Sequence, residues 1–287
     1  MKNFLLATDL AIETDCAFDR AIKLATSLKA KLHILHVCPP YPHASNKTQK
    51  FSLKQATEDT IQKYLDDSIE AKNLQTSITI IESGEAFIEI INHAEKVKAE
   101  LIIMGMHGKS KLRDMFIGTT IERVIRKGIK PVLMVKDKPL KDYRNIVVGT
   151  DFSAGSKHAL HVALELAPKG IFHLLHCYDI PDTYIGDKIK QYAGDVVAKS
   201  QNDRMESFVN DNCNALKKFS IEPQNFRHKT VQGQVYTCLS QEVISTESEL
   251  IAIGTHGRAG LMFYKLGGCA HAILANPPCD VLVAKEL

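Results

Sequence analysis

Phe4-Leu5-Leu6-Ala7-Thr8-Asp9, close to the beginning of the chain, returns as Ile146-Val147-Val148-Gly149-Thr150-Asp151, 151 − 9 = 142 positions later. Both are short apolar runs closed by Thr-Asp. The offset holds into the next segment, where Ala17, Ala21, Leu24 and Ala25 are answered by Ala159, Ala163, Leu166 and Ala167. His33-Ile34-Leu35-His36-Val37 then matches His173-Leu174-Leu175-His176-Cys177. Leu101-Ile102-Ile103-Met104-Gly105-Met106-His107-Gly108 matches Leu250-Ile251-Ala252-Ile253-Gly254-Thr255-His256-Gly257. Self-similarity on this scale means one structural unit used twice. The length of 287 residues agrees, because domains of roughly 100 to 150 residues are the commonest size. The expected domains are 1–138 and 143–287, joined by the polar Asp137-Lys138-Pro139-Leu140-Lys141-Asp142.

Each copy alternates short apolar runs with helical patterns. In the first copy the spacing predicts strands near 3–8, 31–37, 76–82, 100–105 and 131–136. These runs carry Ile, Val and Leu on consecutive positions, as strands covered on both faces by crossover helices do. The fold class is therefore α/β: two tandem, doubly wound, Rossmann-like domains, each with a parallel sheet and helices on both faces. Cys38-Pro39-Pro40-Tyr41-Pro42 reads as a surface loop. Long helical stretches are expected over 47–74 and 185–218.

Composition excludes several classes. Lys and Arg number 36 against 33 Asp and Glu, a formal charge of +3, too small to mark a nucleic-acid partner. Seven scattered Cys without a CxxC pair argue for reduced thiols and a cytoplasmic setting over a disulfide framework or zinc site. Asp9 ends the first apolar run short of a signal-peptide core of about 7 to 15 apolar residues. No stretch reaches the roughly 18 apolar residues of a membrane helix.

The chemistry concentrates where the fourth strand ends. Gly105-x-x-Gly108 is followed, nine residues on, by Gly118-Thr119-Thr120 at the start of an apolar-periodic helix. Glycines at a strand exit let backbone approach a ligand, and a helix start offers unpaired N–H groups and the positive end of its dipole. Phosphates suit such a place. Thr119 adds a hydroxyl, and Lys109, Lys111 and Arg113 bring positive charge to the intervening loop.

Gly-x-x-Gly-x9-Gly-[Ser/Thr] resembles the ATP motif of the universal stress protein family, and the Thr-Asp strand end and the His-Ile-Leu-His-Val strand are similar to that family too. The resemblance covers nearly all of both halves and points to tandem-domain members. It implies a five-stranded sheet of order 3-2-1-4-5 in each half. The topological switch then lies between strands one and four, where ligands of open α/β sheets sit. It further implies that Ala7, Thr8 and Asp9 line the nucleoside or a phosphate-bound Mg2+ or Mn2+, with Asp9 the candidate metal ligand. The backbone of Val37 would meet adenine and Met104 would pack beside base or ribose, with Gly105, Gly108, Gly118, Thr119 and Thr120 around the phosphates. A second site would comprise Thr150, Asp151, Cys177, Ile253, Gly254, Gly257, Gly267 and Gly268. There Gly268 stands where the motif has Ser or Thr, so weaker ATP binding, another ligand or none is expected. The function implied is a nucleotide-dependent stress-response regulator. The alternatives are a slow ATPase or autophosphorylating enzyme, or a structural or small-hydrophobic-ligand module. In the family fifth strands pair, so an intramolecular pseudo-dimer, with or without further homodimerisation, and unidentified protein partners are expected.

Plainer readings stand beside these. Asp after a strand often caps a turn, so functional use is expected of Asp9 more than of Asp151. His107 and His256 have no nucleophile or acid placed to form a relay, and no catalytic residue is assigned. His33 and His36, like His173 and His176, are three apart in strands and face opposite ways, as satisfied core or edge histidines. His158 and His161 share a helix spacing, but two ligands make a weak metal signal. Gly108-Lys109-Ser110 mimics a phosphate loop whose leading glycine is replaced by Ile103. The HIGH and SGGxDS signatures of adenylyl and pyrophosphate chemistry are absent from the sequence.

Overall fold

Burial on both faces selects the residues of the central strands. The structure is a computed structural model describing residues 2–10, 16–38, 47–82, 84–106, 119–180, 187–255 and 266–286. It divides into two units, Met1–Asp142 and Tyr143–Leu287. The first contains β1 (Asn3–Ala7), α1 (Cys16–Ser27), β2 (Lys31–Val37), α2 (Lys47–Asp67), β3 (Thr76–Ile81), α3 (Ala86–Lys96), β4 (Leu101–Gly105), α4 (Thr119–Lys127) and β5 (Val132–Val135). The second contains β6 (Asn145–Gly149), α5 (Ala154–Leu166), β7 (Ile171–Tyr178), α6 (Asp187–Lys218), β8 (Phe226–Gln232), α7 (Val235–Thr246), β9 (Leu250–Gly254), α8 (Gly268–Ala275) and β10 (Asp280–Ala284).

The strands of the first unit lie in the order β3-β2-β1-β4-β5 and those of the second in the order β8-β7-β6-β9-β10. All these neighbours pair in parallel. Each unit is thus a 3-2-1-4-5 sheet. Leu5, Leu6, Leu32, Ile34, Ile103 and Leu133 are fully buried, as continuous apolar strands under crossover helices must be. β3 and β8 are more polar and more exposed, and β8 turns Arg227 and Lys229 to solvent. Charge of this kind on a marginal strand discourages unwanted pairing.

The helices follow apolar periodicity. α1 buries Ala17, Phe18, Ala21, Ile22, Leu24 and Ala25, one stripe at helical spacing. The polar α2 and α6 are anchored at few points: Ile61 and Leu65 on α2, Met205 and Phe208 on α6. Arg20 is the buried charge of α1. Its Nη1 donates to the carbonyl of Lys141 at 3.0 Å, and one residue back on the helix Asp19 meets Lys138 at 3.6 Å. Among the described residues no helix is long and apolar enough to cross a membrane.

Candidate nucleotide site and its second-domain counterpart

The exits of β1 and β6 are built by the same bonds. Thr8 N–H donates to Leu35 O at 3.0 Å and Thr150 N–H to Leu175 O at 2.9 Å. The Thr8 hydroxyl accepts from Leu10 N–H at 3.0 Å, and the Thr150 hydroxyl from Phe152 N–H at 3.0 Å. His36 Nδ1–H donates to Thr8 O at 2.9 Å, and His176 Nδ1–H to Thr150 O at 2.7 Å. These bonds hold Leu10 and Phe152 in the left-handed region, φ 64° and 66°. Non-glycine residues enter it at a cost of roughly 1–2 kcal/mol. The threonine side chain therefore shapes the turn, and Asp9 and Asp151 are carried past the strand end half-buried.

β4 follows β1 in register, with Ala7 opposite Met104. The strand exits that hold Ala7, Thr8 and Gly105 are thereby adjacent, at the switch point of the sheet. Met104 is buried, and Val37 ends β2 half-buried on the other side of β1. α4 opens at Thr119, and Thr120 in its first turn is half-buried. Gly108 and Gly118, the basic loop and His107 lie outside the described residues, as do Gly257 and His256.

In the second unit the equivalent place is a cavity of about 270 Å³. Thr150, Asp151, Cys177, Ile253, Gly254, Gly267 and Gly268 all line it. Asp151 is a turn cap: its Oδ1 accepts from Ser153 N–H at 3.1 Å and from Ser153 Oγ at 2.6 Å. The Ser153 hydroxyl in turn accepts from Ser156 N–H at the start of α5. Gly254 has a packing reason to be glycine, since a Cβ there would lie 2.9 Å from Ser156 N and 3.0 Å from Gly155 C. Gly268 differs. A Cβ at that position would meet nothing within 4 Å, so the hydroxyl missing from this copy is a chemical difference with no steric cause.

Sequence reasoning missed the apolar side of this cavity, made by Leu175, Val235, Leu239 and Ala270, with Cys269 beside them. The signal was present in part. Leu175 and Cys177 are two apart on β7 and so share a face, and Val235 and Leu239 are four apart on α7. Burial pushes the Cys269 thiol up to about 11, with the Asp151 carboxylate adding to the shift.

The histidines separate into two kinds. His33 bonds Ser77 Oγ at 2.7 Å and approaches Asn3 Oδ1 at 3.3 Å, and His36 and His176 bond threonine carbonyls, as expected of satisfied core residues. His173 departs from that expectation. Its Nε2 is buried with no hydrogen-bond partner among the described residues, while Glu242 of α7 approaches Nδ1 at 3.9 Å. Burial is the first cause of lowered pKa at His33, His93, His173 and His176. His158 and His161 do not converge: one bonds Lys285 O and the other Asn212 Oδ1. Among the described residues no group of three or more His, Cys, Asp or Glu is arranged to hold a metal.

Two parallel sheets of order 3-2-1-4-5 whose first strands leave by the same bonds define a tandem, doubly wound α/β protein. The profile of the Universal stress protein family matches residues 1–136 and 142–285, and the chain belongs to that family. Over 308 aligned residues it is 24% identical to the Universal stress protein E homolog of Haemophilus influenzae, covering 99% of this chain and 97% of that one. It is 31% identical over 147 residues to Universal stress protein MJ0531 of Methanocaldococcus jannaschii, covering 49% of this chain and 85% of the relative. A 59-residue stretch is 46% identical to Universal stress protein MJ0577 of the same organism, spanning 36% of that relative. The crystal structure of a universal stress protein from Archaeoglobus fulgidus shares the fold with a TM-score of 0.68 at 18% identity, covering 99% of this chain and 98% of the other.

Proposed function

We propose that the first domain binds ATP in the crevice beyond β1 and β4 and that the protein acts as a nucleotide-dependent regulator in the stress response. The observation that carries this reading is the pairing of Ala7 with Met104. It sets the ends of β1 and β4, and so Asp9 and Gly105, next to one another, and in the sequence Gly108 and Gly118 follow Gly105 before α4 opens at Thr119. The donor types suit a triphosphate: helix-start N–H groups and a threonine hydroxyl for phosphate oxygens, and a carboxylate at Asp9 for a phosphate-bound Mg2+ or Mn2+. Val37 and Met104 flank the strand exits on the side assigned to base and ribose. Nothing in the donor set supplies a nucleophile, so turnover would be at most slow hydrolysis by positioning and metal.

The second domain supports a different reading. With Gly268 in place of the motif hydroxyl and Leu175, Val235, Leu239 and Ile253 in the cavity lining, it favours a smaller or more apolar ligand over a triphosphate. The test is direct. Freshly purified protein is denatured and its supernatant chromatographed, and MgATP is titrated calorimetrically into nucleotide-free protein. About one ATP per chain, bound more weakly by Thr119→Ala, supports the reading. Absence of nucleotide and of heat in the wild type overturns it.

A further inference from the structure

His176, buried on β7, fastens the polar helix α6 to the exit of β6, and both of its ring nitrogens face oxygen atoms. Nδ1 lies 2.7 Å from Thr150 O and Nε2 lies 3.2 Å from Gln201 Oε1 on α6. A carbonyl oxygen only accepts, so each nitrogen needs a hydrogen to make its bond, and a neutral imidazole carries one hydrogen for the two. Turning the Gln201 amide would offer Nε2 a donor instead. Arg204 opposes that turn, because its Nη1 donates to the same Oε1 at 2.9 Å. Only an imidazolium satisfies the contacts to Thr150, Gln201 and Arg204 together.

We propose that His176, Gln201 and Arg204 form a proton-operated latch between α6 and the exit of β6. With His176 neutral, its single ring hydrogen stays on Nδ1, because the Thr150 carbonyl belongs to backbone that is itself held by the bond from Thr150 N–H to Leu175 O and cannot turn away. Gln201 is the movable member. Its amide rotates to present NH2 to Nε2, and Arg204 loses that acceptor. When a proton from solvent binds Nε2 the amide turns back, and its oxygen accepts from His176 and Arg204 at once. No covalent bond other than N–H is made or broken.

The latch bears on the second-domain cavity. Thr150, whose carbonyl it holds, lines that cavity. Arg204 lies 4.6 Å over the ring of Phe152, the left-handed residue that follows Asp151, and the His176 ring lies 4.3 Å from the same ring. Acid thus draws α6 side chains into one network over the turn that carries Asp151 to the cavity, and neutral pH releases it. The charged groups that face His176 among the described residues are Arg204 from α6, which disfavours the imidazolium, and Asp151 from the turn after β6, which favours it. β7 adds the stacked ring of Tyr178, and β8 pairs Thr230 with His176. Burial is the largest influence and holds the folded pKa below 6.5. The latch is therefore slack above about pH 6.5 and closes as pH falls below it. This inference does not rest on nucleotide binding in the first domain.

The test follows the full-length protein by nitrogen-15 NMR from pH 7.5 to 5.0, reading the His176 ring nitrogens, the Gln201 side-chain amide and hydrogen exchange at the Arg204 guanidinium. The expected result is a neutral ring protonated on Nδ1 at pH 7.5 and an imidazolium in acid. The Gln201 amide signal should shift, and Arg204 exchange should slow, with the same midpoint. Gln201→Glu, whose carboxylate accepts from both cations, should raise that midpoint by about one pH unit, a tenfold gain in proton affinity. In Gln201→Leu, His176 should still titrate while Arg204 exchange no longer follows it. The wild-type titration decides the matter even if a variant folds poorly. A ring protonated on Nε2 at pH 7.5, a Gln201 amide that stays unchanged while His176 titrates, a midpoint unmoved by Gln201→Glu, or a ring still neutral at pH 5.0 would each overturn the proposal.

Discussion

At the end of β1 the chain runs Ala7-Thr8-Asp9-Leu10, and at the end of β6 it runs Gly149-Thr150-Asp151-Phe152. Backbone, threonine and histidine make the same bonds in both, down to a left-handed residue two places after the threonine. The surroundings then part company. In the second copy the aspartate caps Ser153, Phe152 packs its ring 4.3 Å from His176 with Arg204 4.6 Å above it, and thiols occupy three positions that the first copy gives to Val37, Glu89 and Thr120. A duplicated strand exit can thus be kept as architecture while the ligand-facing atoms around it change.

Four experiments press on that contrast. The largest effect is expected at Gly254, where the added methyl of Gly254→Ala meets α5 backbone at 2.9 Å. Overpacking of this kind costs typically 1–3 kcal/mol, whereas Gly268→Ala, which opens onto free space, should be close to neutral. Equal urea midpoints for the two variants would show that the motif's first glycine is not a packing requirement. Next, Thr119→Ala should weaken ATP binding to the first domain about tenfold, the value of one hydrogen bond to a charged group of roughly 1.4 kcal/mol. Calorimetry that finds an unchanged Kd would move the phosphate away from α4.

Gly268→Thr tests the converse and should be smaller. Restoring the hydroxyl where a Cβ has room should raise nucleotide affinity of the second domain by about threefold, or less than 1 kcal/mol. No gain over wild type would mean that the apolar side of the cavity, rather than Gly268, excludes the triphosphate.

The last effect concerns acid. Folded-state pKa values of His33, His93, His173 and His176 lie below 6.5, so the unfolded chain binds protons first as pH falls. Stability from these groups is full above about pH 6.5 and declines as pH drops through that value toward the folded pKa values. His93 adds to the depression at His33, whereas Glu242 opposes it at His173. Hydrogen exchange at pH 7.5 and 5.5 should therefore show greater loss of protection in β2 and α3 than in β7 and α7, and the reverse pattern would discredit this charge assignment.

The parallel, doubly wound sheet and the positions of strand ends were legible because consecutive Ile, Leu and Val leave little alternative, whereas the strand order 3-2-1-4-5 came from the family resemblance. Leu101–Met104 and Leu250–Ile253 carried that signal most clearly. Observed strands end within a residue or two of expectation, as at Thr8, whose hydroxyl is spent on the turn that leaves the sheet. The wall of the second cavity was not legible. Val235 and Leu239 look like ordinary core residues of α7, and nothing in sequence spacing sets Cys238 Sγ where a Cβ on Gly233 would come within 2.9 Å of it. His173 escaped for the same reason: its missing partner is a property of what α7 brings opposite, which only tertiary packing decides.

Arg20 settles where the protein can be divided. Because its guanidinium reaches the carbonyl of Lys141 from inside α1, a first-domain fragment stopped at residue 138 would forfeit that acceptor at a buried charge, a loss of about 1.5–3 kcal/mol. One carried through Asp142 would retain it. Dissection of the two halves for binding work should accordingly cut after the clasp, and a protease that nicks ahead of it would release a less durable piece.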